Sequence, residues 1–130
     1  ERLSHMLKSP ARGNLPYIIK ENSQCREKGE TVFYEIETEG KKISLMGSLN
    51  LREDTDYPTG SDLLILPYNG WEDNYTPAVK IIDRLNPKRI FLDHYDDTFP
   101  PITEPLDLDP ILQKYRGKIE AMQLNRVELV

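Results

Sequence analysis

Cysteine, histidine and long apolar runs are all scarce in this chain, and each shortage removes a class of protein. Cys25 is the single cysteine among 130 residues, so no internal disulfide can form and a reducing compartment, the cytoplasm, is expected. No apolar run approaches the ~20 residues of a membrane span, and no signal-peptide pattern opens the chain. Basic residues are outnumbered, 17 Lys and Arg against 22 Asp and Glu, giving a net charge of −5. Non-specific nucleic-acid binding needs clustered Lys and Arg, so neither nucleic acid nor membrane is expected as a partner. Histidine occurs only at His5 and His94, with no HxH or HExxH pair. The chain alone therefore cannot assemble a histidine-rich metal centre.

What is present fits one domain. A length of 130 residues matches the single-domain range and can bury a real core. Residues 1–130 are read as that domain, with 1–30 a loop-rich lead-in punctuated by Pro10, Gly13, Pro16 and Gly29 around a short strand candidate at Tyr17–Ile19. Apolar residues make up 38% and charged residues 30%, below and above the globular average respectively. That balance suits long polar loops, or a domain that lacks part of its packing partner. Glu1 is not methionine, and the expectation is a fragment of a longer protein.

Periodicity gives the elements. From Thr31 to Glu37, Val32, Tyr34 and Ile36 point one way and Glu35 and Glu37 the other. Glu39-Gly40-Lys41 is a turn signal, and Ile43 and Leu45 resume the alternation, which predicts a β-hairpin. Residues 47–61 form a long loop. Leu63–Leu66 is a continuous apolar run, suited to a strand covered on both faces. Thr76 can cap a helix with Pro77 at its first position, Ala78, Ile81, Ile82 and Leu85 as its inward stripe, and Pro87 forbidding continuation. Ile90–Leu92 is a second buried strand. Strand, helix, strand is a βαβ unit, whose strands are expected to be parallel neighbours. Asp109 and Pro110 repeat the cap-then-proline start of a second helix, with the stripe Ile111, Leu112, Tyr115, Ile119 and Met122 interrupted by Gly117. Val127–Val130 could close the sheet.

The stretch RIFLDHYDDTFPP, Arg89 to Pro101, carries the most chemistry. Its strand stops on Asp93 and His94, with Asp96 and Asp97 just beyond. Parallel strands share one C-terminal edge, where open α/β sheets bind ligands. Imidazole and carboxylate there suit zinc, manganese or iron. The plainer readings stand beside this one. A histidine at a strand end can simply bond a backbone carbonyl, and Asp96 and Asp97 can cap a turn before prolines. Asp54 and Asp56 solvate the long loop. Ser48, after Gly47, could hydrogen-bond locally, and as a nucleophile it needs a base that the sequence does not reveal. Tyr68, Trp71 and Tyr75 suit a packed lid over the same edge.

Taken together, TVFYEIETEGKKISLMGSLNL, DLLILPYNG and TPAVKIIDRLNPKRIFLDHYDDTFPP resemble the C-terminal half of a metallo-β-lactamase-fold hydrolase, over roughly residues 30 to 105. In that superfamily a hairpin strand ends in Gly-Asp, an apolar strand and helix follow, and the next strand ends in the last metal histidine. The resemblance implies an α/β (α+β) fold: half of an αββα sandwich, a mixed β-sheet with two helices on one face. It matches His94 to that last metal histidine and His5 to a middle one. Ser48 stands where the bridging metal aspartate is expected, and the HxHxDH motif is absent. The implied function is the C-terminal portion of a metal-dependent hydrolase, its metal zinc or another divalent ion. A metal-bound water would attack an ester, amide or phosphoester of a small-molecule substrate, with Asp96 or Asp97 orienting the ligands. The isolated chain is expected to be inactive and to bind zinc weakly or not at all. The alternative is a metal-free binding or scaffold module that kept the fold and lost the centre. Half a sandwich leaves one apolar sheet face open, with Val32, Tyr34, Ile36, Leu63, Ile65 and Ile90 as contributors. The N-terminal half of the same fold, or self-association as a two-fold dimer, is expected to cover it.

Overall fold

The computed structural model describes residues 31–95 and 106–119, with Pro16, Lys20, Ser23 and Gln24 as isolated positions before them. The elements below belong to the compact unit that contains Thr31–Tyr95 and residues 107–119. The strand candidates at Tyr17–Ile19 and Val127–Val130 lie outside the described residues, as do Cys25 and Met122.

Strand β1, Phe33–Thr38, and strand β2, Lys41–Met46, form the expected hairpin, antiparallel and in register from Phe33↔Met46 to Thr38↔Lys41. Glu39 and Gly40 make the turn with φ of +49° and +72°, the pair of positive values that lets a two-residue turn follow the strand twist. β2 then lies parallel to β3, Leu63–Pro67, and β3 parallel to β4, Ile90–Asp93. The sheet is mixed, in the order β1-β2-β3-β4. Between β3 and β4 runs α1, Tyr75–Leu85, whose Ala78, Ile81, Ile82 and Leu85 are buried as the apolar spacing requires. The fold is therefore an α+β domain with a βαβ unit, as the sequence pattern implied.

Cross-strand register sorts the sheet into two unlike faces. Ser44 and Met46, Leu64 and Leu66, and Ile90 and Leu92 share one face and are all buried, Leu64, Leu66 and Leu92 completely. Removing each such leucine from water contributes roughly 1.5–3 kcal/mol. The helices meet on this face. α2, Asp109–Lys114, buries Ile111, and Tyr115 just after it donates its hydroxyl to Asp83 on α1 at 2.7 Å. The opposite face carries Val32, Tyr34 and Ile36, which are 51%, 53% and 44% exposed, and the half-exposed Ile43, Leu45, Ile65 and Phe91. An open apolar face thus exists. Two of its expected members are corrected: Ile90 belongs to the covered face, and Leu63, though of the right parity, is buried.

Two helix ends also differ from the pattern. Thr76 does not cap α1, because the Asp73 carboxylate just upstream already accepts from the amides of Tyr75 and Thr76. The helix consequently starts two residues earlier, at Tyr75 with Asn74 in the cap position. α2 stops at Lys114 instead of running on through Ile119. Gly117 turns at φ +89°, and Ile119 forms a bridge beside Ile90 at the sheet edge, with the amide of Ile90 donating to Lys118. A sheet edge with a free ladder outcompetes one more helical turn containing glycine.

Candidate functional site at the C-terminal edge

The two ends of the parallel strands are finished differently. At the N-terminal end the backbone is stitched shut. Asp62 N donates to Lys42 O at 2.8 Å, Lys88 N to Ser61 O at 2.9 Å and Gly60 N to Leu85 O at 2.8 Å. The Asp62 carboxylate accepts from Lys42 N at 2.9 Å and Lys88 Nζ at 2.7 Å, and this pairing holds its pKa below the ordinary carboxylate range. The C-terminal ends instead run into side chains that carry chemistry. β2 passes into Gly47-Ser48, β3 into Tyr68-Asn69 and β4 into Asp93-His94.

The ladders end at Leu45↔Ile65 and Pro67↔Asp93, and Ser48, Tyr68 and His94 follow the C-terminal ends of the three strands. The backbone at His94 is held in the left-handed region, with φ +58°. That conformation is disfavoured for a residue bearing Cβ, by about 1–2 kcal/mol. Hydrogen bonds compensate. Asn69 Nδ2 donates to His94 O at 3.0 Å, and His94 N donates to Asp93 Oδ1 at 2.9 Å. Asn69 Oδ1 in turn accepts from Gly70 N at 2.7 Å, which fixes the amide's orientation. Both side chains of the terminal pair are accessible, and His94 Nε2 lies 3.8 Å from Asp93 Oδ2. That separation is too long for a hydrogen bond and short enough for a charge interaction.

Ser48 Oγ donates to Thr31 Oγ1 at 3.1 Å, so the hydroxyl has the local partner that its position allowed. Tyr68 is 2% exposed; burial first, and then the carboxylates of Asp73 and Asp107, push its hydroxyl up to about 12. It stays neutral across the physiological range. Asp96, Asp97 and His5 lie outside the described residues. Among the described residues no group of three or more His, Cys, Asp or Glu side chains could hold a metal ion. His94 and Asp93 alone do not make a metal centre. His94 and Ser48 stand out in the sequence, whereas Asn69, the clamp between β3 and β4, does not. Asn69-Gly70 is a turn signal in sequence, and nothing in its spacing aims it at His94.

The aromatic residues after β3 separate. Tyr68 is buried, whereas Trp71 and Tyr75 are 54% and 37% exposed. Trp71 Nε1 donates to Leu49 O at 3.0 Å, which pins the indole over a groove of about 530 Å³ beside α1. Leu51, Pro77, Lys80 and Ile81 share its lining. Arg84, at its end, donates to Arg52 O at 2.8 Å and Thr55 O at 2.5 Å and stacks on Tyr57, tying the long loop to the helix.

No family model matches this chain, and no curated protein or solved structure does. No helix among the described residues is long and apolar enough to cross a membrane.

Proposed function

We propose that this chain is the C-terminal portion of a metal-dependent hydrolase of the metallo-β-lactamase superfamily, acting on a small-molecule ester, amide or phosphoester. The observation that carries the reading is the shared edge: Gly47-Ser48, Tyr68-Asn69 and Asp93-His94 end three parallel neighbours in chain order. Open α/β sheets bind ligands at that edge. The Asn69 clamp supports the same reading, because it fixes the backbone that carries the His94 imidazole. In this proposal His94 is a metal ligand, His5 a second one, and Asp96 or Asp97 orients the ligands. Zinc or another divalent ion is the metal. The described residues do not fit a metal by themselves. The missing donors belong to the N-terminal half of the same fold, whose sheet also covers Tyr34, Ile36 and their neighbours. The lone cysteine supports a cytoplasmic setting.

One observation favours a second reading. Ser48 stands where the superfamily has a carboxylate, and its hydroxyl bonds to Thr31. A metal-free binding module that retained the fold accounts for that. Isothermal titration with zinc separates the two readings. The unaltered chain should bind weakly or not at all. Ser48→Asp adds a carboxylate at the strand edge that also carries His94 and should tighten zinc binding at least tenfold, a gain that His94→Ala in the same background removes. Unchanged zinc affinity in Ser48→Asp favours the metal-free module. Submicromolar binding by the unaltered chain that survives His94→Ala overturns the ligand assignment.

A further inference from the structure

Among the described residues β1 ends the sheet on one side, with no strand on its outer edge. Gly47 N donates to Val32 O at 3.2 Å, so Val32 and its alternates Tyr34 and Ile36 turn their backbone groups toward β2. The amides and carbonyls of Phe33, Glu35 and Glu37 therefore point away from the sheet. Among the described residues nothing pairs with them. Edge strands are ordinarily guarded by charged side chains, lysine above all, by proline, a bulge or a covering element, and the charges on β1 are the acidic Glu35 and Glu37. β1 has no lysine and no proline, its register with β2 runs one to one without a bulge, and its residues from Tyr34 onward are exposed.

The two sides of this edge differ in chemistry. Val32, Tyr34 and Ile36 form an exposed apolar row on the open face. Glu35 and Glu37 form an acidic row on the other, exposed and without an ion pair among the described residues; Ser44 and Lys42 lie opposite them on β2. A second copy of β1 added antiparallel would bring Glu35 and Glu37 against the same carboxylates of its partner, and like charges across a ladder repel. A segment with apolar residues on one side and Lys or Arg on the other has no such conflict.

We propose that β1 is a docking edge for an extended basic segment, one that alternates apolar residues with Lys or Arg and adds to the sheet as a further strand. Main-chain hydrogen bonds to Phe33, Glu35 and Glu37 hold it, and the alternation sets its register. The proposal stands apart from the edge that carries His94 and from any metal.

Fluorescence anisotropy on the full chain tests it, with three labelled octapeptides as probes: alternating Lys-Val, the same residues in two blocks, and alternating Glu-Val. The alternating basic peptide should bind at least tenfold more tightly than either control, and should weaken when salt rises from 0.05 to 0.5 M. Glu35→Pro removes one outward donor without touching a bond to β2, and should abolish binding while the hairpin persists by circular dichroism. Glu35→Gln should weaken binding a few-fold through charge alone. Equal affinity for the basic and acidic alternating peptides overturns the proposal. So does binding that Glu35→Pro leaves intact, or self-association that Glu35→Pro abolishes, which assigns the edge to a second copy. If Glu35→Pro does not fold, the three-peptide comparison on the unaltered chain decides alone.

Discussion

Replacing Tyr115 with phenylalanine tests the junction of the two helices over the covered face. The Tyr115 side chain is 8% exposed, and its hydroxyl donates to Asp83 Oδ1 at 2.7 Å and, more weakly, to Val79 O at 3.4 Å. The ring survives the substitution, so packing changes little. Asp83 is exposed and regains water when the hydroxyl goes. The net loss is then one hydrogen bond, about 1 kcal/mol at pH 7. Burial and the Asp83 carboxylate hold the Tyr115 hydroxyl above the ordinary tyrosine range. In the unfolded chain it ionises near pH ~10, so above that the unfolded state holds fewer protons and stability falls as pH rises. Below about pH 10 the contribution is fully present. One unit above an unfolded pKa of ~10, it has lost RT ln(1 + 10), about 1.4 kcal/mol, in the tyrosine chain and nothing in the phenylalanine chain. The penalty of Tyr115→Phe should therefore fall from about 1 kcal/mol at pH 7 to zero or slightly below it at pH 11. Urea unfolding followed by circular dichroism at pH 7, 9 and 11 measures it, and Tyr68 contributes equally to both chains. A penalty that does not change with pH would refute the reasoning.

Three further outcomes are expected. Ser44 is 1% exposed on the helix-covered face and its Oγ has no partner, so Ser44→Ala should raise unfolding free energy by about 1 kcal/mol in a urea titration. Asp62 has a depressed pKa from Lys88 and the Lys42 amide, so its contribution is present above the unfolded carboxylate pKa and lost as pH falls through the folded value. Asp62→Asn should accordingly flatten the acid limb of a stability-against-pH curve and lower stability at pH 7. On the open face, Tyr34, Ile36, Ile65 and Phe91 should drive association at micromolar concentration in sedimentation velocity, and Ile36→Lys should shift the chain toward monomer; an unaltered chain that is monomeric throughout rejects the face as an interface.

How much could be read from sequence depended on whether local pattern or distant contact set each feature. The hairpin was legible because alternation through Ile36 and a Glu39-Gly40 turn agree on one register. β3, α1 and β4 were legible because Leu63–Leu66, the stripe Ala78 to Leu85 and Ile90–Leu92 each carry their own period. The end of α2 was not legible. Leu112, Tyr115 and Ile119 keep helical spacing, but the bridge from Ile119 to Ile90 is a tertiary competitor that spacing cannot reveal. The same applies at the candidate site. His94 announced itself by ending an apolar run, whereas its left-handed backbone and the Asn69 clamp exist only once β3 and β4 lie side by side.

Hydrogen bonds at the N-terminal end of the strands and burial of Leu64, Leu66, Ile82 and Leu92 under the helices hold the unit together. Ser48 and His94 stand at the opposite end, half-exposed and exposed, with no share in that core. Changing either side chain removes little buried area, so altered zinc affinity in Ser48→Asp or His94→Ala reports on ligation and not on unfolding. Asn69 is different in kind. Its amide bonds the His94 carbonyl, so Asn69→Ala should loosen the backbone under the imidazole while leaving the imidazole itself in place. Weaker zinc binding in Ser48→Asp combined with Asn69→Ala, at unchanged unfolding free energy, would assign Asn69 to positioning. A loss of stability equal to that of a core substitution, about 2–5 kcal/mol, would instead make Asn69 part of the scaffold.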